Sequence, residues 1–300
     1  MTDFTLGINT CFAVKRWPEP EEWARIVAEE FRLKTVQFTF DLMDPRGGSG
    51  SVGAYVDHTR IACARHGITI HSTFTGFIPY MGNLLLHPEP AFREDAKAWF
   101  KAAIEVTARM KVASMGGYFG ALSMKEVGDP IRRQERMDGW LDALRELAQE
   151  AKDRGLESLL IEPMAGWREP PTGIGESLAL AEMKTAVPLR LAIDLGHAIA
   201  RGREGDDLDP YAWLRKLSPK AGVIHLQQSN DQYDLHQAFT PEANRSGRID
   251  PKKAVEAIRA SGAENAVLMF EVIHACEEDE KKVLSEIRSS IDQWREALKG

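Results

Sequence analysis

Cysteine is scarce in this 300-residue chain: there are three, Cys11, Cys63 and Cys276. They are too few and too scattered for a disulfide framework, and none falls in a CxxC pair. They read as reduced thiols packed as small hydrophobes, which suits a cytoplasmic protein. Long apolar runs are missing too. No stretch of about 18 apolar residues exists, so no membrane span is expected. The opening MTDFTLGINT has no basic region followed by an apolar stretch, so no secretory leader is read there. Positive charge is in deficit: 38 Lys and Arg against 45 Asp and Glu give a formal net charge of −7. Nucleic-acid affinity rests on neutralising phosphates, so no nucleic-acid partner is expected. A small phosphorylated ligand stays compatible, because a local Arg or Lys can work inside an acidic whole. A dinucleotide fingerprint is also absent. No GxGxxG follows the first strand-like run, and MGGYFG at 115–120 lacks that spacing.

What is present is a regular alternation. Short β-like runs occupy 6–12, 35–40, 68–74, 112–118, 158–164, 190–197, 221–228 and 266–273. Helical patterns follow them at 19–31, 54–67, 91–110, 130–155, 176–186, 210–217, 250–262 and 278–298. Trp23, Ile26, Val27 and Phe31 share one helical stripe, as do Trp99, Ala103, Val106 and Met110. Asp250 before Pro251 is a capping signal for a helix start. The later strand-like runs are almost continuously apolar, as expected when both faces are buried. Strands alternating with helices imply a parallel sheet. Eight units with no segment left for a second domain point to one (β/α)8 TIM barrel over residues 1–300, in the α/β class. An open doubly wound sheet is the competing architecture. In the barrel, the connections at 41–50, 75–90 and 229–249 follow strands and project from the C-terminal face, where such barrels build their sites.

Four residues stand out near the ends of apolar strand runs: Glu162 in SLLIEPM, Asp194 in RLAIDLGH, His225 in AGVIHLQQ and Glu271 in AVLMFEVI. A carboxylate in such a run is costly unless it is paired or bound to a cation. Each one alone reads as a buried polar residue satisfied by a neighbour. Four in successive strands read as a set. Three carboxylates beside one another repel without a cation. Oxygen donors with one imidazole suit one divalent metal ion, with Mn²⁺, Mg²⁺ or Co²⁺ favoured and Zn²⁺ compatible. Such an ion acts as a Lewis acid on a carbonyl and its neighbouring hydroxyl. Carboxylates on two sides of that substrate could move protons at the adjacent carbon.

IEP at 161–163, DLGH at 194–197, the strand-borne His225 and FE at 270–271 carry a resemblance. The chain resembles the sugar-phosphate isomerase/epimerase family with its xylose-isomerase-like barrel, over essentially its whole length. The resemblance implies Glu162, Asp194, His225 and Glu271 as metal ligands. It also implies Glu162 and Glu271 as the acid and base of a 3-epimerisation through a metal-stabilised cis-enediolate, and His197 as a contact to a substrate oxygen. GINTCFAVKRWPEPEEWARIV at the start and HLQQSND at 225–231 are similar to tetrulose-phosphate epimerases, which act on erythrulose phosphates. Free-sugar 3-epimerases usually carry an Arg a few residues after the strand-seven His. Here Leu-Gln-Gln-Ser-Asn-Asp follows His225, a departure that disfavours a free hexulose.

Further substrate contacts are expected at His71, near the exit of the third strand, at Asn9, at Tyr118 with Phe119, and at Arg168 beside Trp167. Lys15, Arg16, Arg245 and Arg248 are additional candidates for a phosphate. For each of these, packing or solvated surface is the competing reading, as it is for His236 and His274. The expected partner is a small sugar or sugar phosphate, with no membrane. Barrels of the group often associate through their outer helices, which implies a homo-oligomer. An aldose–ketose isomerase, an inosose-type polyol dehydratase, an endonuclease IV-like DNA-repair nuclease and a non-catalytic binding barrel are the other readings. The nuclease needs more strand-end histidines and a basic groove.

Overall fold

The structure is a computed structural model that describes residues 2–199, 202–230 and 234–300. Asp231, the last residue of the HLQQSND stretch, lies outside the described residues. Eight parallel strands close into a barrel in sequence order. They are β1 (Asp3–Asn9), β2 (Thr35–Thr39), β3 (Thr69–Phe74), β4 (Ser114–Gly117), β5 (Ser158–Ile161), β6 (Leu189–Asp194), β7 (Ala221–Leu226) and β8 (Asn265–Phe270). The principal helices between and after them are α1 (Pro20–Arg25), α2 (Ser49–His66), α3 (Pro90–Arg109), α4 (Pro130–Asp153), α5 (Ile174–Ala181), α6 (Pro210–Leu217), α7 (Pro251–Ala260) and α8 (Glu280–Lys299). The (β/α)8 expectation holds, and the open sheet is excluded by the β1–β8 pairing. Among the described residues, no helix is long and apolar enough to cross a membrane.

Local chemistry explains most of the elements. Asp129, Asp209 and Asp250 cap α4, α6 and α7 through backbone N–H groups, each followed by Pro at the first helical position. Gly67 ends α2 in the left-handed conformation at φ 65°. Most boundaries shift by a few residues from the sequence reading, and two helices show why. α2 begins at Ser49, five residues earlier than expected at 54, although Gly and Ser dominate that stretch. Buried Val52 overrides the weak propensity there. The helix at 19–31 is α-helical only to Arg25 and continues as a π turn, Ile26–Glu30.

Two cores result. The larger lies between strands and helices and contains Trp23, Trp213 and Trp294, all fully buried. The smaller fills the barrel with Phe74, Leu160, Ala192, Val223 and Met269. Side chains alternate along a strand with period two. The residues two positions beyond Leu160, Ala192, Val223 and Met269 are therefore Glu162, Asp194, His225 and Glu271. The candidate site is the next inward layer of the barrel, stacked on an apolar floor.

Glycines let the barrel close tightly. A Cβ on Gly117, at φ 137°, would lie 2.0 Å from Thr75 Oγ1. The Gly117 carbonyl accepts from the Glu162 backbone N–H at 3.1 Å, so this close approach helps position a site residue. Gly117→Ala is expected to lower the unfolding free energy by roughly 2–4 kcal/mol, from backbone strain and overpacking, as read by chemical denaturation.

Candidate active site

The four strand-end residues meet. One donor atom from each of Glu162, Asp194, His225 and Glu271 lies within 4.8 Å of the others. His225 Nδ1 is 3.2 Å from Glu162 Oε1, 3.0 Å from Glu271 Oε2 and 4.0 Å from Asp194 Oδ2. All four are buried, and His225 is completely enclosed.

The surrounding hydrogen bonds prepare this set for a cation. Asp194 Oδ1 accepts three donors: Gly196 N at 2.6 Å, His197 N at 3.0 Å and Gln227 Nε2 at 2.9 Å. Asp194 Oδ2 is buried and has no hydrogen-bond partner among the described residues. An orphaned carboxylate oxygen facing two more carboxylates is the arrangement a metal ion satisfies. His225 is oriented for the same task. Its Nε2 lies 2.8 Å from Gln37 Oε1, which also accepts from Asn9 Nδ2 at 2.9 Å, while Gln37 Nε2 donates to Ser72 at 3.1 Å. With Nε2 donating to Gln37, a neutral ring turns its Nδ1 lone pair toward the carboxylates. Phe74 packs edge-on against the ring at 4.8 Å between centroids. The donor set fits one divalent ion.

Charge shapes the protonation states. Burial would depress the His225 pKa, but Glu271 and Glu162 raise it to about 10. Burial pushes the Glu162 carboxyl up, with His225 and His197 acting the other way. Burial also opposes ionisation of Glu271, yet His225, His236 and His197 bring it down to about 2.

A cavity of about 250 Å³ opens above the cluster. Glu162 and Glu271 line it, together with His197 and Tyr118; Asp194 and His225 are not among its lining residues. Tyr118 is buried and donates from its hydroxyl to Gly82 O at 3.0 Å, under the edge of Tyr80. His197 Nδ1 lies 3.1 Å from Pro163 O and 3.8 Å from Glu162 Oε1. Asn9 does not line the cavity: its Nδ2 donates to Glu271 Oε1 at 3.0 Å, which makes it a support for that glutamate.

Other expected contacts fall elsewhere. His71 sits at the opposite end of the barrel, in a separate cavity with Ser158 and Arg190. β3 carries a register irregularity opposite Val36 and Gln37, and Ser72 faces Gln37 in its place. Burial and Arg190 bring the His71 pKa down to about 4. Arg168 donates to Leu122 O at 2.5 Å and pins the β4 loop outside the cavity. Arg16 is tied to Ala275 O and Glu278 O at 2.5 and 3.2 Å. Arg248 borders a groove on the outer helices, and His274 pairs with Glu286 at 2.9 Å.

The structure adds residues that sequence reading missed. Gln37, Gln227, Asp234, Cys11 and Asp41 all belong to the site or its support. Gln37 carried a signal, a polar residue within the apolar TVQFTF strand. The other polar loop residues carried none. The loop after β7 is closed by Gln228. Its side chain bonds Asn244 Oδ1 and Ile249 O at 2.8 and 2.9 Å, and receives Ile249 N at 3.0 Å. Its backbone pairs with Gln237 in both directions at 2.7 and 3.0 Å.

Comparisons with known proteins agree with this architecture. The D-erythrulose 1-phosphate 3-epimerase of Brucella abortus (strain 2308) is 29% identical over 296 residues, covering 97% of this chain and 95% of that protein. A crystal structure from Rhodospirillum rubrum ATCC 11170, of a protein provisionally named a xylose isomerase, has a TM-score of 0.91 at 30% identity. It covers 98% of this chain and 99% of its own. D-psicose 3-epimerase from Clostridium cellulolyticum H10 shares the fold at TM-score 0.73 and 16% identity, over 98% of this chain and 99% of its own. A family model described as the xylose isomerase-like TIM barrel matches residues 27–298. The closed eight-stranded barrel and this match together establish that the chain belongs to the xylose isomerase-like TIM barrel family.

Proposed function

We propose that this protein is a metal-dependent 3-epimerase of a short ketose phosphate, of the erythrulose-phosphate type, working in the cytoplasm with one divalent cation. The observation that carries the reading is a pair of buried glutamates, Glu162 and Glu271, that line one small cavity and approach one imidazole at 3.2 and 3.0 Å. The Brucella relative, similar along nearly its whole length, supports the substrate class.

Glu162, Asp194, His225 and Glu271 would hold the cation. Three oxygen donors and one nitrogen favour Mn²⁺, Mg²⁺ or Co²⁺ over Zn²⁺. When bound, it supplies Lewis-acid polarisation of the carbonyl and stabilises the negative charge that develops there. The chain itself moves the protons. One glutamate takes the proton from the carbon beside the carbonyl, leaving an enediolate. The other returns a proton on the opposite face and inverts that carbon. Asn9 holds Glu271 in place, and Gln37 holds the His225 ring. His197 lines the cavity wall, with its Nε2 3.0 Å from Asp234 Oδ2.

An aldose–ketose isomerase would use the same groups one carbon along, and the exchanged position separates the two. In deuterated water, the wild-type protein should place deuterium at C3 of an erythrulose phosphate. Glu162→Gln and Glu271→Gln should each lower turnover by about 10²- to 10⁴-fold, the range for losing a positioned acid or base, and abolish that exchange. Near wild-type exchange in both variants would sink the proton-carrier assignment.

Metal binding is checked by stability. Mn²⁺ at about 100 times its Kd should stabilise the fold by about 2.7 kcal/mol. EDTA should reverse the rise in melting temperature, and Asp194→Asn should remove it. Gln37→Leu should weaken Mn²⁺ affinity by about 10- to 100-fold by freeing the His225 ring, measured by titration calorimetry.

A further inference from the structure

The loop after β7 brings to the cavity wall side chains that the proton transfers do not use. Asp234 Oδ2 lies 3.0 Å from His197 Nε2 and 3.2 Å from His236 Nε2. Asp234 Oδ1 accepts from Gln227 Nε2 at 2.8 Å, and the same amide donates to Asp194 Oδ1 at 2.9 Å. One glutamine thus ties the loop carboxylate to a member of the cluster. Gln227 Oε1 accepts the His236 backbone N–H at 2.6 Å. A Cβ on Gly196 would lie 2.4 Å from the Gln227 side chain, so only glycine leaves the amide this position. His236 is held at φ 46°, a left-handed conformation that is costly for a residue with a side chain. Backbone strain of this kind concentrates where a side chain must be aimed.

Each ring nitrogen of the two imidazoles faces a protein oxygen. His197 Nδ1 faces Pro163 O at 3.1 Å and His236 Nδ1 faces Glu271 O at 3.2 Å, while both Nε2 atoms face Asp234. Asp234 does have capacity. A carboxylate offers about four lone-pair sites, and three donors stand around this one. Its side chain is 27% exposed and borders the cavity. What this wall presents to a ligand is therefore an acceptor. Asp41, Glu162 and Glu271 also line the cavity, and no Lys or Arg does so among the described residues. Such a wall draws a hydroxyl donor and repels a phosphate.

We propose that Asp234 is the specificity-determining acceptor of this site. It takes a hydrogen bond from a hydroxyl on the unphosphorylated end of the ketose and fixes which end lies against the β7 wall. The assignment rests on the epimerase reading above.

The test compares wild type with Asp234→Asn, each with erythrulose 1-phosphate and with its 4-deoxy analogue, which lacks only the terminal hydroxyl. Binding is read by calorimetry on Mn²⁺-loaded protein, and turnover by deuterium exchange. Wild type should bind the parent about 10- to 100-fold more tightly than the analogue, the range of a hydrogen bond to a charged group. Asp234→Asn should close that gap. If Asp234 only holds His197 and His236 in place, the variant loses both ligands equally and the gap persists, which overturns the proposal. A wild type that does not distinguish the two ligands overturns it without any variant. Hydroxyl-dependent binding with no exchange would sink the epimerase reading and leave the Asp234 assignment standing. No binding of either ligand sinks both.

Discussion

Three carboxylates converge on one imidazole at the mouth of this barrel, and the rest of the site is arranged around that repulsion. Glu162, Asp194 and Glu271 are buried where solvent cannot screen them. In the absence of a cation, the positive charge must come from His225, which is why its pKa is lifted so far against the effect of burial. A divalent ion held there would supply that charge instead and leave His225 neutral, with Gln37 holding the tautomer that faces the cluster. The orphaned Oδ2 of Asp194 and the crowded Oδ1 beside it show the same division within one side chain. One oxygen is fixed by the protein and the other is left for a ligand.

The architecture makes this convergence affordable in geometry. A parallel barrel stacks inward side chains in layers, and the apolar layer of Leu160, Ala192, Val223 and Met269 closes the bore beneath the polar one. Charge is thus concentrated at one end of the barrel while the core under it remains oily. The tie from Asp194 through Gln227 to Asp234 extends this hydrogen-bonded layer into a loop.

Much of this was legible before any coordinates. The alternation of apolar runs and helical stripes identified the barrel because both periods report burial directly. The four cluster residues could be read because polar atoms inside apolar strands are conspicuous. Gln37 satisfies the same criterion, but an amide signals less than a carboxylate does. His71 shows the limit of strand-end reasoning: an irregularity in β3 puts Ser72 opposite Gln37 and leaves the imidazole at the other end of the bore. Asp234 is beyond sequence reading, and His236 is no more than a candidate there, for a different reason. Their positions depend on how a long polar loop folds back, and no periodicity encodes that. Asn9 and Arg168 are expected as substrate contacts, and in the structure they donate to Glu271 Oε1 and to Leu122 O.

Gln228 has a consequence for how such an enzyme can change. Its side chain and backbone close the stem of the β7 loop, reaching Gln237, Asn244 and Ile249 from one residue. The stem is therefore tied independently of Asp234 and His236, and closure of the barrel rests on the strands. Closing a loop on a fixed stem costs little more as it lengthens. Inherited changes in loop length beyond this stem can reshape the cavity wall, while Glu162, Asp194, His225 and Glu271 keep their places at the strand ends. A lineage carrying this clamp can trial new cavity walls one loop at a time.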